Sequence, residues 1–219
     1  MTIQEEGATE VDSDDMGGID AVDYTSGGLI VLSICLGLGK KGLFNSGPID
    51  VEETSVDGPD DVQGLDASAA HIVNLLSSEP SDVRLGIGGF SMGAATAFHS
   101  AACYAHGRFS NGVAYPTLSA IIGLSGWLPC SRTLRTKIES SQTAFRRAAA
   151  LPIMLGHGRG DEAVTYRNGE RSAEFLRNSG FSYLNFKAYN GLGHHTTPEE
   201  MDDVSKWLRA RLGLDRSCG

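Results

Sequence analysis

The sequence has no apolar run long enough to cross a membrane and no basic residue near its amino terminus. The longest apolar stretch covers residues 29–39, eleven residues in all, whereas a membrane-spanning helix needs about 20. Residues 1–24 contain eight acidic residues and no Lys or Arg, a composition opposite to that of a secretory signal. We therefore predict a cytoplasmic protein with no transmembrane segment.

Cysteine is also scarce, with four residues among 219. Their positions have neither the spacing of zinc ligands nor the density of a disulfide scaffold; they are Cys35, Cys103, Cys130 and Cys218. Scattered thiols of this kind are typical of a reducing compartment. The cysteines therefore predict neither a zinc site nor a disulfide framework.

The negative charge of the chain is concentrated at one end. The formal net charge is −9, from 27 acidic and 18 basic residues, which argues against a nucleic-acid partner. Beyond residue 24 the chain is nearly neutral, with 19 acidic against 18 basic residues. Hydrophobic residues make up 41% of the sequence, enough for a folded core. We interpret residues 1–28 as an acidic, disordered leader and residues 29–215 as one folded domain.

Short apolar segments alternate with amphipathic segments along this domain. The patterns predict strands at 29–35, 83–89, 118–124, 152–156 and 181–189, and helices at 62–76, 91–106, 131–150 (broken), 166–178 and after 197. Such alternation indicates an α/β sandwich of three layers, with a mainly parallel sheet and helices on both faces. The last helix begins with a capping box at Thr197, and its predicted core face is Met201, Val204, Trp207, Leu208 and Leu212.

Residues 89–93, GFSMG, match the G-x-S-x-G pattern of a nucleophile elbow. The match alone is weak, but Ser91 lies where a predicted strand gives way to a predicted helix, as the elbow requires. Glycine is needed on both sides because side chains there would collide across the strained turn. The alternative is a glycine-rich turn with a serine of no function, and we favour Ser91 as a nucleophile.

A serine nucleophile needs a base that removes its proton and a carboxylate that orients the base. In this architecture the acid and then the histidine follow the serine, each in a loop after a strand. His194 and His195 lie in the glycine-rich loop after the last predicted strand, and Asp161 and Glu162 follow the strand at 152–156. The pattern alone leaves both pairs open.

Four longer stretches carry a specific resemblance. They are GLDASAAH at 64–71, GIGGFSMGA at 86–94, GLSGWLP at 123–129 and YNGLGH at 189–194. Through them the chain, from about residue 50 to residue 214, resembles a plant acyl-protein thioesterase, within the phospholipase/carboxylesterase family of α/β-hydrolases. Matched residue by residue, the resemblance implies Ser91 as nucleophile, Asp161 as acid and His194 as base, and it gives His195 and Glu162 no role.

The resemblance further implies hydrolysis of long-chain acyl thioesters or esters, without cofactor or metal. The substrates would be acylated proteins or lysophospholipids, so that the protein would belong to lipid metabolism. Two other functions remain open. One is a catalytically silent family member that binds an acyl chain or a partner protein, and the other is a small-molecule carboxylesterase.

Two backbone amides are expected to hold the oxyanion of the tetrahedral intermediate. One is that of Met92, the residue after the nucleophile. The other is that of Leu38 in the segment LGLGK, which keeps the family's Gly-Leu-Gly but has Leu36 and Lys40 where the family has His and Asp. A backbone amide does not depend on the identity of its side chain, so both donors are retained in this prediction.

The acyl path and the amino-terminal part are less well defined by the residues. Trp127 and Leu128 either line the acyl path or pack in the core. The chain passes directly from Gly42 to Pro48, where the resemblance implies a further helix and strand. A fold reduced on this side would expose apolar surface and a strand edge, which predicts self-association.

Overall fold

The computed structural model describes residues 21–22, 29–34, 60–107 and 116–213. The strands in these residues are β1 (Ala21–Val22), β2 (Leu29–Ile34), β3 (Arg84–Phe90), β4 (Leu118–Leu124), β5 (Ile153–Gly158) and β6 (Leu184–Tyr189). The helices are α1 (Val62–Ser77), α2 (Met92–His106), α3 (Ser131–Glu139), α4 (Gln142–Ala150), α5 (Tyr166–Asn178) and α6 (Pro198–Leu212). None of these helices combines the length and the hydropathy that a membrane span requires.

The strands form one sheet whose spatial order is the order of the sequence, β1 to β6. Strands β2 to β6 pair in parallel, and β1 is antiparallel to β2. Parallel neighbours that follow each other in the chain need crossover connections of one hand, which places α1 to α5 on the same face. The predicted α/β-hydrolase sandwich with a mainly parallel sheet is confirmed.

Two hydrophobic cores cover the two faces of the sheet. Ile153 and Leu155 of β5 point into the larger core together with side chains of α1 to α5, while Met154 between them points into a smaller core under α6. This alternation follows from the two-residue period of a strand. Within the described residues α6 is the helix that packs on the second face, and this part of the chain covers that face less than the first.

Strand β1 lies inside the segment that we predicted as a leader. Its residues pair with β2, Ala21 opposite Leu32 and Val22 opposite Val31. The sheet in the structure therefore starts before residue 29. The rest of residues 1–28, the predicted oxyanion donor Leu38 and the join between Gly42 and Pro48 lie outside the described residues.

The last helix follows the prediction except on one side of its first turn. The Thr197 hydroxyl accepts a hydrogen bond from the Glu200 amide at 3.3 Å, as the capping box predicts. Met201, however, is 40% exposed and Glu200 is fully buried, so the prediction of Met201 as a core residue is wrong. The rest of the predicted face is buried as expected. Glu200 and Met201 lie on opposite borders of this stripe, because residues three and four positions before Val204 both fall near its face of the helix, and the sheet covers the border with Glu200.

Candidate active site

Ser91 occupies a strained turn between β3 and α2. Its backbone has φ 56° and ψ −119°, in the region that non-glycine residues rarely adopt. Its amide donates to the Leu124 carbonyl of β4 at 2.9 Å, which ties the turn to the end of the neighbouring strand. A β-carbon on Gly89 would lie 2.2 Å from the Gly93 carbonyl group. The turn therefore requires glycine at position 89, two residues before Ser91, as the sequence pattern predicts.

His194 connects Ser91 to Asp161. The His194 Nε2 atom lies 3.1 Å from the Ser91 Oγ atom, and the Nδ1 atom lies 2.9 Å from Asp161 Oδ2 and 3.1 Å from Oδ1. Ser91 follows β3, Asp161 follows β5, and His194 follows β6, so three loops at the carboxyl edge of the sheet bring these side chains together. They are the three residues that the resemblance selects.

The Asp161 carboxylate is held in place by its own loop. Its Oδ1 atom accepts hydrogen bonds from the amides of Ala163 at 3.0 Å and Val164 at 2.9 Å. Burial raises the pKa of Asp161, but the hydrogen bonds from His194 and Val164 outweigh it, so that the pKa is below its ordinary value. An ionised Asp161 accepts a hydrogen bond from the Nδ1–H group of His194, which leaves Nε2 without a proton and able to take the serine proton.

The two alternatives that the sequence pattern left open, His195 and Glu162, take no part in the hydrogen bonds of this triad. His195 and Glu162 are both exposed, while Asp161 is 5% exposed. The Phe90 ring packs against the His194 imidazole with a centroid distance of 4.8 Å, which covers the apolar side of the base. The geometry therefore favours His194 over His195 and Asp161 over Glu162.

Two other predicted residues lie near the ends of β3 and β4. Met92 is the first residue of α2, and the first amides of a helix have no acceptor within it, a position compatible with the predicted oxyanion donor. Leu128 is fully buried in the larger core, and its amide donates to the Ser172 hydroxyl at 2.8 Å. Of the two alternatives for Leu128, a place on the acyl path or packing in the core, these contacts correspond to packing in the core. Trp127 is half-buried, and its place on the acyl path stays a prediction.

His157, for which the sequence predicts no role, lies next to the acid. His157 is fully buried at the end of β5, with its Nε2 atom 3.5 Å from Asp161 Oδ2. A histidine that ends a buried strand four residues before the acid is a signal in the sequence. Its contacts, however, depend on how the intervening loop closes.

One cluster of possible metal ligands occurs in the part of the chain that the structure describes. It joins α1 to α2 and consists of Asp66, His99 and Cys103, whose donor atoms lie within 4.8 Å of one another. The His99 Nε2 atom is 2.8 Å from Asp66 Oδ1 and 3.6 Å from Cys103 Sγ. Burial raises the pKa of Cys103 to about 12 and lowers that of His99. Since the thiol keeps its proton and the imidazole already bonds to Asp66, we interpret the cluster as a link between two helices.

Comparisons with known proteins identify the family of this chain. Residues 49–212 match the family described as Phospholipase/Carboxylesterase. Acyl-protein thioesterase 1 of Gibberella zeae is 29% identical over 187 residues, which cover 84% of this chain and 73% of that protein. A probable carboxylesterase of Oryza sativa subsp. japonica is 29% identical over 158 residues, which cover 70% of this chain and 53% of that protein.

Solved structures similar to this chain include proteins of the same kind. The crystal structure of Zea mays acyl-protein thioesterase 2 is 59% identical, with a TM-score of 0.70, over 73% of this chain and 69% of that one. Arabidopsis thaliana SOBER1 is 25% identical, with a TM-score of 0.57, over 72% of this chain and 69% of that one. Each of these matches leaves a quarter or more of the relative uncovered.

Proposed function

This chain belongs to the phospholipase/carboxylesterase family of α/β-hydrolases, and from that premise we propose that it hydrolyses acyl thioesters or esters with Ser91, His194 and Asp161 as a catalytic triad. The relatives support the coarser statement that the chain is an ester or thioester hydrolase. The observation that carries the finer one is the unbroken path from Ser91 Oγ through the two ring nitrogens of His194 to the Asp161 carboxylate.

The first half of the reaction forms an acyl-enzyme. The Ser91 Oγ atom attacks the acyl carbonyl carbon while its proton passes to His194 Nε2. Asp161 stabilises the imidazolium that results, because its ionised carboxylate lies against the Nδ1–H group. The tetrahedral intermediate then collapses, the bond to the thiol or alcohol breaks, and the leaving group takes the proton from His194.

The second half releases the acid. His194 removes a proton from water, the hydroxide attacks the acyl carbonyl carbon, and Ser91 regains its proton as the acid departs. The oxyanion of both tetrahedral intermediates would lie at the amino terminus of α2, where the Met92 amide and the helix dipole favour negative charge. We keep the Leu38 amide as the second donor in this proposal.

The proposed substrates are acylated proteins, as the name of the Zea mays and Gibberella zeae relatives indicates for those proteins, or lysophospholipids. A water-soluble short-chain ester is the alternative substrate, in keeping with the carboxylesterase relatives. Comparing turnover of an S-palmitoylated peptide with that of a p-nitrophenyl ester of a short acid separates the two. A preference for the short ester would contradict the acyl-protein assignment and leave the triad proposal intact.

Covalent labelling by a fluorophosphonate probe tests the triad without knowledge of the substrate. We expect Ser91→Ala and His194→Ala to abolish labelling and ester turnover. His195→Ala is the matched control, since His195 is the exposed neighbour and should keep most of the activity. Asp161→Asn should lower turnover by about 10³–10⁴-fold through loss of the correct tautomer.

The same experiment can contradict the proposal. Folded wild-type protein that neither takes up the probe nor hydrolyses any ester would favour a silent family member that binds an acyl chain or a partner. A loss of activity in His195→Ala that equals the loss in His194→Ala would move the base by one residue. Loss on replacing the exposed Glu162 by Gln, with Asp161→Asn active, would move the acid.

A further inference from the structure

We infer that His157 is a positioning residue that locks the Asp161 loop, so that the working unit of this site is Ser91, His194, Asp161 and His157. The inference rests on the proposed function, since it assigns His157 to the support of the triad acid. It starts from a fully buried imidazole that lies 3.5 Å from the carboxylate.

His157 and Val164 close the acid loop from its two ends. The His157 Nε2–H group donates to the Val164 carbonyl at 2.8 Å, and the Val164 amide donates to Asp161 Oδ1 at 2.9 Å. The single residue Val164 is therefore held by the strand on one side and holds the carboxylate on the other. If the bond from His157 is lost, Val164, whose amide orients Asp161, loses this anchor to β5.

The contact with the other carboxylate oxygen adds to this effect. His157 Nε2 lies 3.5 Å from Asp161 Oδ2, and that same oxygen lies 2.9 Å from His194 Nδ1. The imidazole therefore fills the space beside the oxygen that faces the base. A smaller side chain at 157 would leave a void there, and the carboxylate could rotate away from His194.

The surroundings of His157 define which of its nitrogens carries the proton. Since Nε2 donates to a carbonyl, Nε2 carries the hydrogen and Nδ1 does not in the neutral ring. The Nδ1 atom is buried without a hydrogen-bond partner among the described residues, against α5, where a β-carbon on Gly169 would lie 2.3 Å away. A second proton on Nδ1 would therefore find no acceptor.

The charged and aromatic groups around His157 are Asp161 on its own loop, His194 on the loop after β6, and Tyr166 on α5, whose ring centroid is 6.2 Å away. Burial lowers the pKa of His157, and this outweighs the opposite effects of the Val164 hydrogen bond and of Asp161. A neutral His157 leaves the charge of Asp161 available to the imidazolium of His194.

Two substitutions of His157 separate positioning from packing. His157→Leu removes the donor, whereas His157→Gln keeps an N–H group near the position of Nε2. We measure kcat and KM for a p-nitrophenyl ester from about pH 5 to about pH 9, with active sites counted by the probe. We expect His157→Leu to lower kcat by about 10–100-fold with KM little changed, and His157→Gln to recover most of the loss.

The pH profile gives a readout that packing alone would not change. When Asp161 turns away, His194 loses its anionic partner, and the acid limb of kcat/KM moves to lower pH in His157→Leu. An unchanged kcat per labelled site, or a fall in melting temperature with an unmoved acid limb, would overturn the inference. Equal defects in His157→Leu and His157→Gln would overturn it as well.

Gly169→Ala perturbs the same imidazole from a distance and keeps His157 itself. The new β-carbon would approach Nδ1 to 2.3 Å, while alanine is otherwise favoured over glycine inside a helix. We expect kcat to fall severalfold, and Glu170→Ala, at the exposed next position, to leave it unchanged. Full turnover in folded Gly169→Ala would overturn the inference, whereas failure of Ser91→Ala to abolish turnover would instead contradict the proposed function.

Discussion

Glu200 offers a sharp test of the packing under the site, because it is a fully buried carboxyl group with no hydrogen-bond partner for either oxygen among the described residues. It lies directly on the backbone of β5, since a β-carbon on Gly156 would be 2.7 Å from its Oε1 atom. Burial, and then the nearby charge of Asp203, raise the pKa of Glu200 to about 7.

The sign of the effect on stability follows from proton linkage. The unfolded chain has the ordinary pKa of 4.5 and the folded chain a value of about 7, so the folded state binds the proton more tightly. The contribution to stability is fully present below about pH 4.5 and is lost as the pH rises through about 7. Each pKa unit of difference between the two states corresponds to about 1.4 kcal/mol. The free energy of unfolding therefore loses about 2–3 kcal/mol between about pH 5 and about pH 8.

Glu200→Gln removes this titration while it keeps the size of the side chain. The quantity to follow is the difference in free energy of unfolding, wild type minus variant. We expect this difference to fall by about 2–3 kcal/mol from about pH 5 to about pH 8. Urea unfolding at constant ionic strength measures it, and contributions of the other titrating groups cancel in the difference. Any constant cost of burying an amide cancels as well, because the comparison is between two pH values.

Glu199→Gln is the matched control, since Glu199 is exposed in the same first turn of α6. It loses the same charge at the same helix terminus without the burial. Parallel stability curves for wild type and Glu200→Gln over this pH range would refute the reasoning. An equal change in Glu199→Gln would also refute it, because the effect would then not depend on burial, and the helix dipole at this terminus stabilises negative charge and gives the opposite sign.

Three further predictions concern the frame of the site. His99→Ala removes the 2.8 Å bond to Asp66 and should lower the free energy of unfolding by about 1–3 kcal/mol, measured by urea unfolding; an unchanged value would contradict the link between α1 and α2. Met201→Gln should change the free energy of unfolding by less than about 0.5 kcal/mol, whereas Val204→Ala, on the buried stripe, should lower it by about 2 kcal/mol. A larger loss in Met201→Gln than in Val204→Ala would instead support Met201 as a core residue. Light scattering should show association that increases with concentration, since α6 is the helix that covers the second face within the described residues, and a monomer at all concentrations would contradict this.

The strands and helices around the site could be predicted because their signals are local. Strand β4 and helix α5 begin and end where the apolar pattern and the glycines place them. The pairing of His194 with Asp161 needed more than the local pattern, since His195 and Glu162 occupy equally suitable loop positions. The resemblance selected between them, and the distances in the structure favour the same pair.

Two features could not be predicted, for different physical reasons. Helical periodicity places both Glu200 and Met201 at the borders of the apolar stripe of α6 and does not decide which border the sheet covers. A glutamate is a poor candidate for the core, so Met201 was predicted to be buried. The contact of His157 with the acid loop depends on the backbone path of the residues between them. Sequence spacing alone does not fix that path.

The end of β5 shows how a single buried charge is directed at the base. Gly156 of β5 contacts Glu200 on the side of α6. His157, the residue after Gly156, faces α5, because consecutive residues of a strand point to opposite faces. Near neutral pH the raised pKa of Glu200 keeps a large share of that carboxyl protonated, and the lowered pKa of His157 keeps the imidazole neutral. Of these three buried groups Asp161, whose pKa is lowered, is thus the one that stays ionised, and its charge faces His194. Environments that separate the pKa values of neighbouring groups in this way are what acid–base chemistry at one pH requires, and here the separation arises from burial on two sides of one strand.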